Sequence, residues 1–146
     1  MAAITGLVLV PINGAPTDER ALDIAILMAR RYHCALTAVH VVEVPQQLPI
    51  DADMGAAVTR GEQVLASAER CAAQYGYDIE VELLQARAAG PAIVDEAIGR
   101  GAKLIVMGTM LRRRAGENAP GRTTVPYVLK NAPCEVVLCR RPPETS

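Results

Sequence analysis

Arg112, Arg113, Arg114 and Arg122 share one polar stretch with Gly108, Gly121, Thr123 and Thr124. Guanidinium groups pair bidentately with phosphate, glycines let backbone approach a ligand closely, and hydroxyls beside a helix start add further donors. The first amides of a helix are unpaired and carry partial positive charge, which would complete an anion site. The same stretch reads equally well as a solvated surface loop whose threonines only cap the next helix. On residue types and spacing alone, both readings stand.

The other chemistry-bearing residues point towards structure. His40 lies in an apolar strand and is expected to be a satisfied core histidine. His33 ends a helix and is expected to be exposed beside its dipole. Asp51 and Asp53 fall in a loop as solvated carboxylates. Asp95 and Glu96 are adjacent on a helix and point apart, so they form no acid–base pair. Ser67 sits inside a helix and Ser146 is terminal, leaving no serine nucleophile. Cys34, Cys71, Cys134 and Cys139 form no CxxC pair, and both histidines are remote in sequence from Cys134 and Cys139. All four cysteines are therefore read as packing residues and no metal is expected. No GxGxxG follows the first strand and no GxxxxGK[ST] occurs, which disfavours a dinucleotide fold and removes the P-loop.

The elements that must position these residues alternate. Residues 7–12 form a short, continuously apolar run, as a strand buried on both faces requires. Thr17-Asp18-Glu19 starts a helix, with Ala21, Leu22, Ala25, Met28 and Ala29 at helical spacing and Arg30-Arg31 at its end. A second strand spans 35–42, and residues 45–57 read as a loop. The next helix carries Val64, Leu65, Ala68, Cys71, Ala72 and Tyr75 on one face, closed by Gly76. Residues 79–84 alternate apolar with acidic, predicting a half-exposed strand near a sheet edge. Gly90-Pro91 opens a third helix whose expected buried stripe is Ile93, Val94, Ala97 and Ile98. Residues 103–108 are the clearest buried strand, 109–122 a long loop, 123–130 a short helix, and 134–139 the last strand. Strand and helix in strict alternation predict a single α/β domain: a doubly wound, five-stranded parallel sheet with helices on both faces. Ligands of such sheets sit beyond the strands' carboxyl ends, here among residues 11–15 and 108–124.

Composition narrows the function classes. A chain of 146 residues suits one domain, and a net charge of −1 gives no general attraction to nucleic acid or anionic lipid. Four tyrosines without phenylalanine or tryptophan provide poor base-stacking platforms. No apolar run approaches the ~20 residues of a membrane helix, and the first residues carry no secretory pattern, so a cytoplasmic protein without membrane insertion is expected.

Val10-Pro11-Ile12-Asn13-Gly14, the strand end His40-Val41-Val42, Gly90 to Val94, Ile105 to Thr109, and the close from Tyr127 to Leu138 together resemble the universal stress protein family. The match runs in order over nearly the whole chain. The resemblance implies a five-stranded parallel sheet of Rossmann-like type, usually dimeric through the final strand (here Glu135 to Cys139). In one branch it implies ATP or AMP at the carboxyl edge. Nucleotide-binding members carry a glycine, two residues, a second glycine, nine residues, then Gly-Ser or Gly-Thr. Gly108 and Gly121 fill the first and third places, but Leu111 stands at the second and Arg122 follows Gly121, with threonine only at 123. The family's adenine-pocket aspartate is Asn13 here, which keeps an acceptor oxygen and loses the charge. By this resemblance adenine packs against Pro11, Ile12, Val41 and Met107 with Asn13 beside the base or ribose. Phosphate meets the backbone of Gly108 and Gly121 with Arg122, Thr123 and Thr124.

The expected function is an adenine-nucleotide regulator (ATP, AMP or a cyclic nucleotide) that senses without fast catalysis, with Mg²⁺ involved only if a triphosphate binds. The departures at Leu111 and Arg122 keep a rival open: a nucleotide-free protein-interaction module, as in similar domains that work beside membrane transporters. A weak ATPase or adenylyl-transfer enzyme is disfavoured because adenylating signatures and an SGGxDS-type loop are absent.

Overall fold

The computed structural model of the protein describes residues 5–110 and 123–142. Along β1 (Gly6–Pro11) successive side chains enter two different cores, which is why the run is apolar on both faces. Val8 and Val10, with Ile12 beyond them, face one side, and Leu9 faces the other. The chain continues through α1 (Thr17–Tyr32), β2 (Cys34–Glu43), α2 (Gly55–Gln74), β3 (Glu80–Ala86), α3 (Ala89–Arg100), β4 (Leu104–Met110), α4 (Thr124–Asn131) and β5 (Glu135–Arg141). Every strand pairing is parallel, and the order across the sheet is β3-β2-β1-β4-β5. The α/β sheet wound on both faces that the alternation predicts is thus the fold, with β3 at an edge.

The two layers of helices follow from the apolar stripes. Ala21, Leu22, Ala25, Ile26 and Ala29 of α1 join Leu65, Ala68 and Ala72 of α2 against Val8, Val10, Leu36, Ala38 and Val106. Ile93, Val94 and Ala97 of α3 join Val128 of α4 against Leu9, Val39, Ile105 and Met107. From β1 the chain moves first to β2 and β3, then crosses back to β4 on the other side of β1. The strand order therefore reverses between β1 and β4, and this is the point of the carboxyl edge where sheets of this kind bind ligands.

Two helix faces differ from expectation. Ile98 is 60% exposed, because α3 turns Gly90 inward instead. A Cβ at Gly90 would lie 2.9 Å from Tyr127 Cβ, so α3 and α4 approach closely there and the stripe rotates away from Ile98. Tyr75 is 45% exposed: it is the C-terminal cap of α2, and the buried face runs from Gly61 through Leu65 and Ala68 to Ala72. The helix itself begins at Gly55, inside the stretch expected to be loop. That loop is tied down from the end of β3. Arg87 Nη1 donates to the carbonyls of Pro45 (2.6 Å) and Leu48 (2.7 Å), and Gln85 Nε2 donates to those of Ile50 and Ala52.

His33 is exposed, as expected, but also caps α1 in the left-handed conformation, with φ 57. A side chain costs energy there, and Gly101 takes the same conformation at the end of α3. His33→Gly is expected to raise stability by roughly 0.5–1 kcal/mol, read as a higher urea midpoint with an unchanged slope. The four cysteines are free thiols. Cys34 is buried, Cys71 and Cys139 pack against the α1/α2 core, and Cys134 packs against the α3/α4 core, in line with a packing role.

Candidate functional site

The candidate site is built around the turn from β1 into α1. Ile12 N–H donates to the Val39 carbonyl at 2.9 Å, and the Ile12 carbonyl lies 2.9 Å from His40 Nδ1. A carbonyl can only accept, so His40 carries its proton on Nδ1. His40 is 8% exposed and thus the satisfied core histidine that its strand context predicts. Its ring packs on α2 at Gly61, where a Cβ would lie 2.6 Å from Cδ2.

Asp18, in the first turn of α1, reaches back into the turn. Its Oδ2 accepts from Gly14 N–H at 2.7 Å and from Asn13 N–H at 3.2 Å, while Oδ1 lies 3.3 Å from the Asn13 nitrogen. Ala15 N–H donates to Asn13 Oδ1 at 3.0 Å, and Asp18 N–H donates to the Ala15 carbonyl at 3.0 Å. The Asn13 oxygen is thereby turned into the loop and its NH₂ outward, in an Asx turn. Burial raises the Asp18 carboxyl above its ordinary value, offset in part by the Gly14 and Asn13 N–H groups and by nearby His40.

The structure gathers some of the expected residues and separates others. Val41 packs on the α3/α4-side core that contains Met107. Pro11 alternates with Leu9 and so shares that side, half-buried at the rim of the sheet. Ile12 faces the opposite core at 5% exposure, so its side chain does not join Pro11, Val41 and Met107. Asn13 is exposed at the edge. Gly108 has a packing reason of its own: a Cβ there would meet Thr17 Cβ at 2.6 Å and the Thr17 carbonyl oxygen at 2.8 Å.

Thr123 stands at the N-cap of α4, yet its hydroxyl makes no capping bond, contrary to the expected role. Thr124 is half-buried at the first position of α4. A surface groove of about 590 Å³ runs beside α4, lined by Thr123, Pro126, Tyr127, Lys130 and Asn131; among the described residues, Thr123 is the one candidate bordering it. Leu111, Arg112, Arg113, Arg114, Gly121 and Arg122 lie outside the described residues.

Two residues at this edge escaped the sequence reading. Asp18 carries a helix-start signal that hides its second task, and Arg60 comes from α2, remote in sequence. Arg60 Nη2 lies 3.4 Å from where a Gly14 Cβ would be. A third feature lies away from this site. Arg100 holds Glu80 at 2.7 Å, Glu82 at 3.3 Å and Glu96 at 3.8 Å. Glu96 is thus not isolated, but faces Glu82 across the α3–β3 seam.

The Glu96 carboxyl is pushed up to about 7, first by its hydrogen bond with Glu82, then by burial and the Glu82 charge, against the pull of Arg100. A carboxyl raised on folding binds its proton more tightly in the native state. Its contribution is therefore full below the ordinary glutamate range and is lost as pH rises through about 7. The urea midpoint is expected to fall between pH 5 and pH 8. In Glu96→Gln, which mimics the protonated acid, that fall should be smaller.

The comparisons with known proteins agree with this fold. The model of the universal stress protein family matches residues 6–140. A universal stress protein of Methanocaldococcus jannaschii is 26% identical over 141 residues, covering 92% of this chain and 82% of its own. The structure of the universal stress protein from Archaeoglobus fulgidus in complex with dAMP superposes with a TM-score of 0.73 at 21% identity, covering 92% of this chain and 98% of that one. A family protein from Arabidopsis thaliana with AMP bound gives a TM-score of 0.64 at 18% identity, covering 94% and 92%.

Proposed function

Because the chain belongs to the universal stress protein family, we propose that it binds an adenine nucleotide at the carboxyl edge between β1 and β4 and regulates by responding to it, without fast catalysis. The observation that carries this is the preorganised turn at the point where the strand order reverses. Its backbone is fixed by Asp18 and His40, and it presents Asn13 at the edge. Similar folds hold dAMP and AMP. Pro11, Val41 and Met107 would flank the base, with the Asn13 amide beside the base or ribose. Gly108, Gly121, Arg122, Thr123 and Thr124 would meet the phosphates, with Mg²⁺ only alongside a triphosphate.

Slow or no turnover is supported by how the titratable groups described at this edge are used. His40 Nδ1–H and the Asp18 carboxylate are both committed to backbone groups, so neither serves as a base for phosphate chemistry. The domain would work in the cytoplasm as a homodimer joined along β5, the edge strand opposite β3, in which Leu138 is exposed. Sedimentation at micromolar concentration tests the dimer, and a monomer would remove it.

The nucleotide is tested by mass spectrometry of the small molecules released on heat denaturation, followed by calorimetric titration with ATP, AMP and cyclic AMP. An adenine nucleotide should appear, and Thr123→Ala should weaken its binding about fivefold, the size of one lost hydrogen bond. Leu111 favours a second reading, a nucleotide-free module for a transporter or another protein partner. An empty protein that ignores all three ligands would select it.

A further inference from the structure

Resting on the nucleotide reading above, we propose that Asp18 is a positioning residue that sets the polarity of the bound ligand. Its carboxylate fills the amides an anion would use, so the β1–α1 turn accepts the uncharged end of a nucleotide and phosphate is directed to the α4 side.

Successive backbone N–H groups that converge at a helix start form an anion-binding concavity. Asn13 N–H and Gly14 N–H converge in this way at the start of α1, and the point they share is already taken by Asp18 Oδ2. The neighbouring amides are spent too: Ile12 N–H on the Val39 carbonyl and Ala15 N–H on Asn13 Oδ1. An arriving phosphate therefore meets no free amide from Ile12 to Ala15, and it meets a fixed negative charge. The basic side chains nearby do not reverse this. The His40 Nδ1 proton is held by the Ile12 carbonyl, and the Arg60 guanidinium approaches Gly14 from the α2 side. Across the site, the Thr123 hydroxyl makes no capping bond at the start of α4. The two sides of the site thus differ in what they offer: a neutral, donor-bearing Asn13 amide on one, a threonine hydroxyl not spent on capping its helix on the other.

The test is an amide-resolved NMR titration of the full chain with inorganic phosphate, in the parent and in Asp18→Ala and Asp18→Asn. Phosphate should perturb the Asn13 and Gly14 amides with an affinity at least about tenfold weaker in the parent than in Asp18→Ala. Asp18→Asn keeps an acceptor oxygen for Gly14 N–H but removes the charge. With the acceptor kept and the charge removed, it should admit phosphate more readily than the parent and less readily than the alanine variant, whereas a residue acting only as scaffold would leave it like the parent. Equal phosphate affinity at these amides in all three proteins overturns the proposal, as does an asparagine variant that behaves as the parent. If the alanine variant does not fold, the parent and Asp18→Asn decide. A parallel titration with adenosine and AMP separates this inference from the function it rests on. Both should move Asn13, and AMP alone should move Thr123 and Thr124. If neither binds while phosphate still distinguishes the variants, Asp18 keeps its role and the nucleotide reading falls.

Discussion

Gly108→Ala is expected to lower stability by about 2–3 kcal/mol and to weaken nucleotide binding with it. The added Cβ would lie 2.6 Å from Thr17 Cβ, 2.8 Å from Thr17 Oγ1 and 2.8 Å from the Thr17 carbonyl oxygen. A flexible side chain could swing aside, but a backbone carbonyl in the first turn of a helix cannot, so the start of α1 must move off β4. That start also carries Asp18, which holds Asn13 and Gly14 in place. One methyl group therefore strains the packing and loosens the ligand turn together. Urea unfolding reads the first effect and calorimetric titration with the nucleotide the second. Adding Thr17→Ala should recover only part of the loss, because it removes Oγ1 and leaves Cβ and the carbonyl oxygen. Full recovery would mean that the hydroxyl alone forms the contact.

Leu9→Ala should be at least as severe, at about 3–4 kcal/mol, a large share of what a domain of this size has. Leu9 is 0% exposed in a strand flanked by β2 and β4, against Val39, Ile93, Ile105 and Val128. Neighbours held in a sheet and in two helices cannot collapse into the space, so the cavity cost adds to the lost transfer energy. Ile98→Ala, also the loss of a large aliphatic group, should change stability by no more than about 0.5 kcal/mol, because Ile98 is 60% exposed. The contrast between the two urea midpoints checks the rotated face of α3 directly. Equal losses would place Ile98 back in the buried stripe.

Much of the fold was legible because it is local. Residues 7–10 are apolar at every position, which suits only a strand covered on both sides, and Glu80 and Glu82 alternating with Val81 and Leu83 marked an edge. His40 was read correctly because an imidazole in an apolar strand has to find a backbone partner, and the Ile12 carbonyl is that partner. The faces of helices were less secure. Spacing puts Ile98 and Tyr75 within a turn of buried residues, but the limits of a stripe are set by what packs against it. Here Gly90 brings α3 onto Tyr127, and α2 ends at Tyr75.

The alternation of strand and helix, the two-sided burial of β1 and β4, and the family are all written in the residue order, because these depend on patterns within one segment or on their succession. Packing in three dimensions fixes the rest: Ile12 turns away from Pro11, Val41 and Met107, Gly108 is required by Thr17, Glu96 meets Glu82, and Asp18 fills the turn ahead of its own helix. Each of these is a contact between elements or across a turn. Its partner is chosen by register, by helix rotation and by the direction of a side chain, and a linear pattern of residue types carries none of the three.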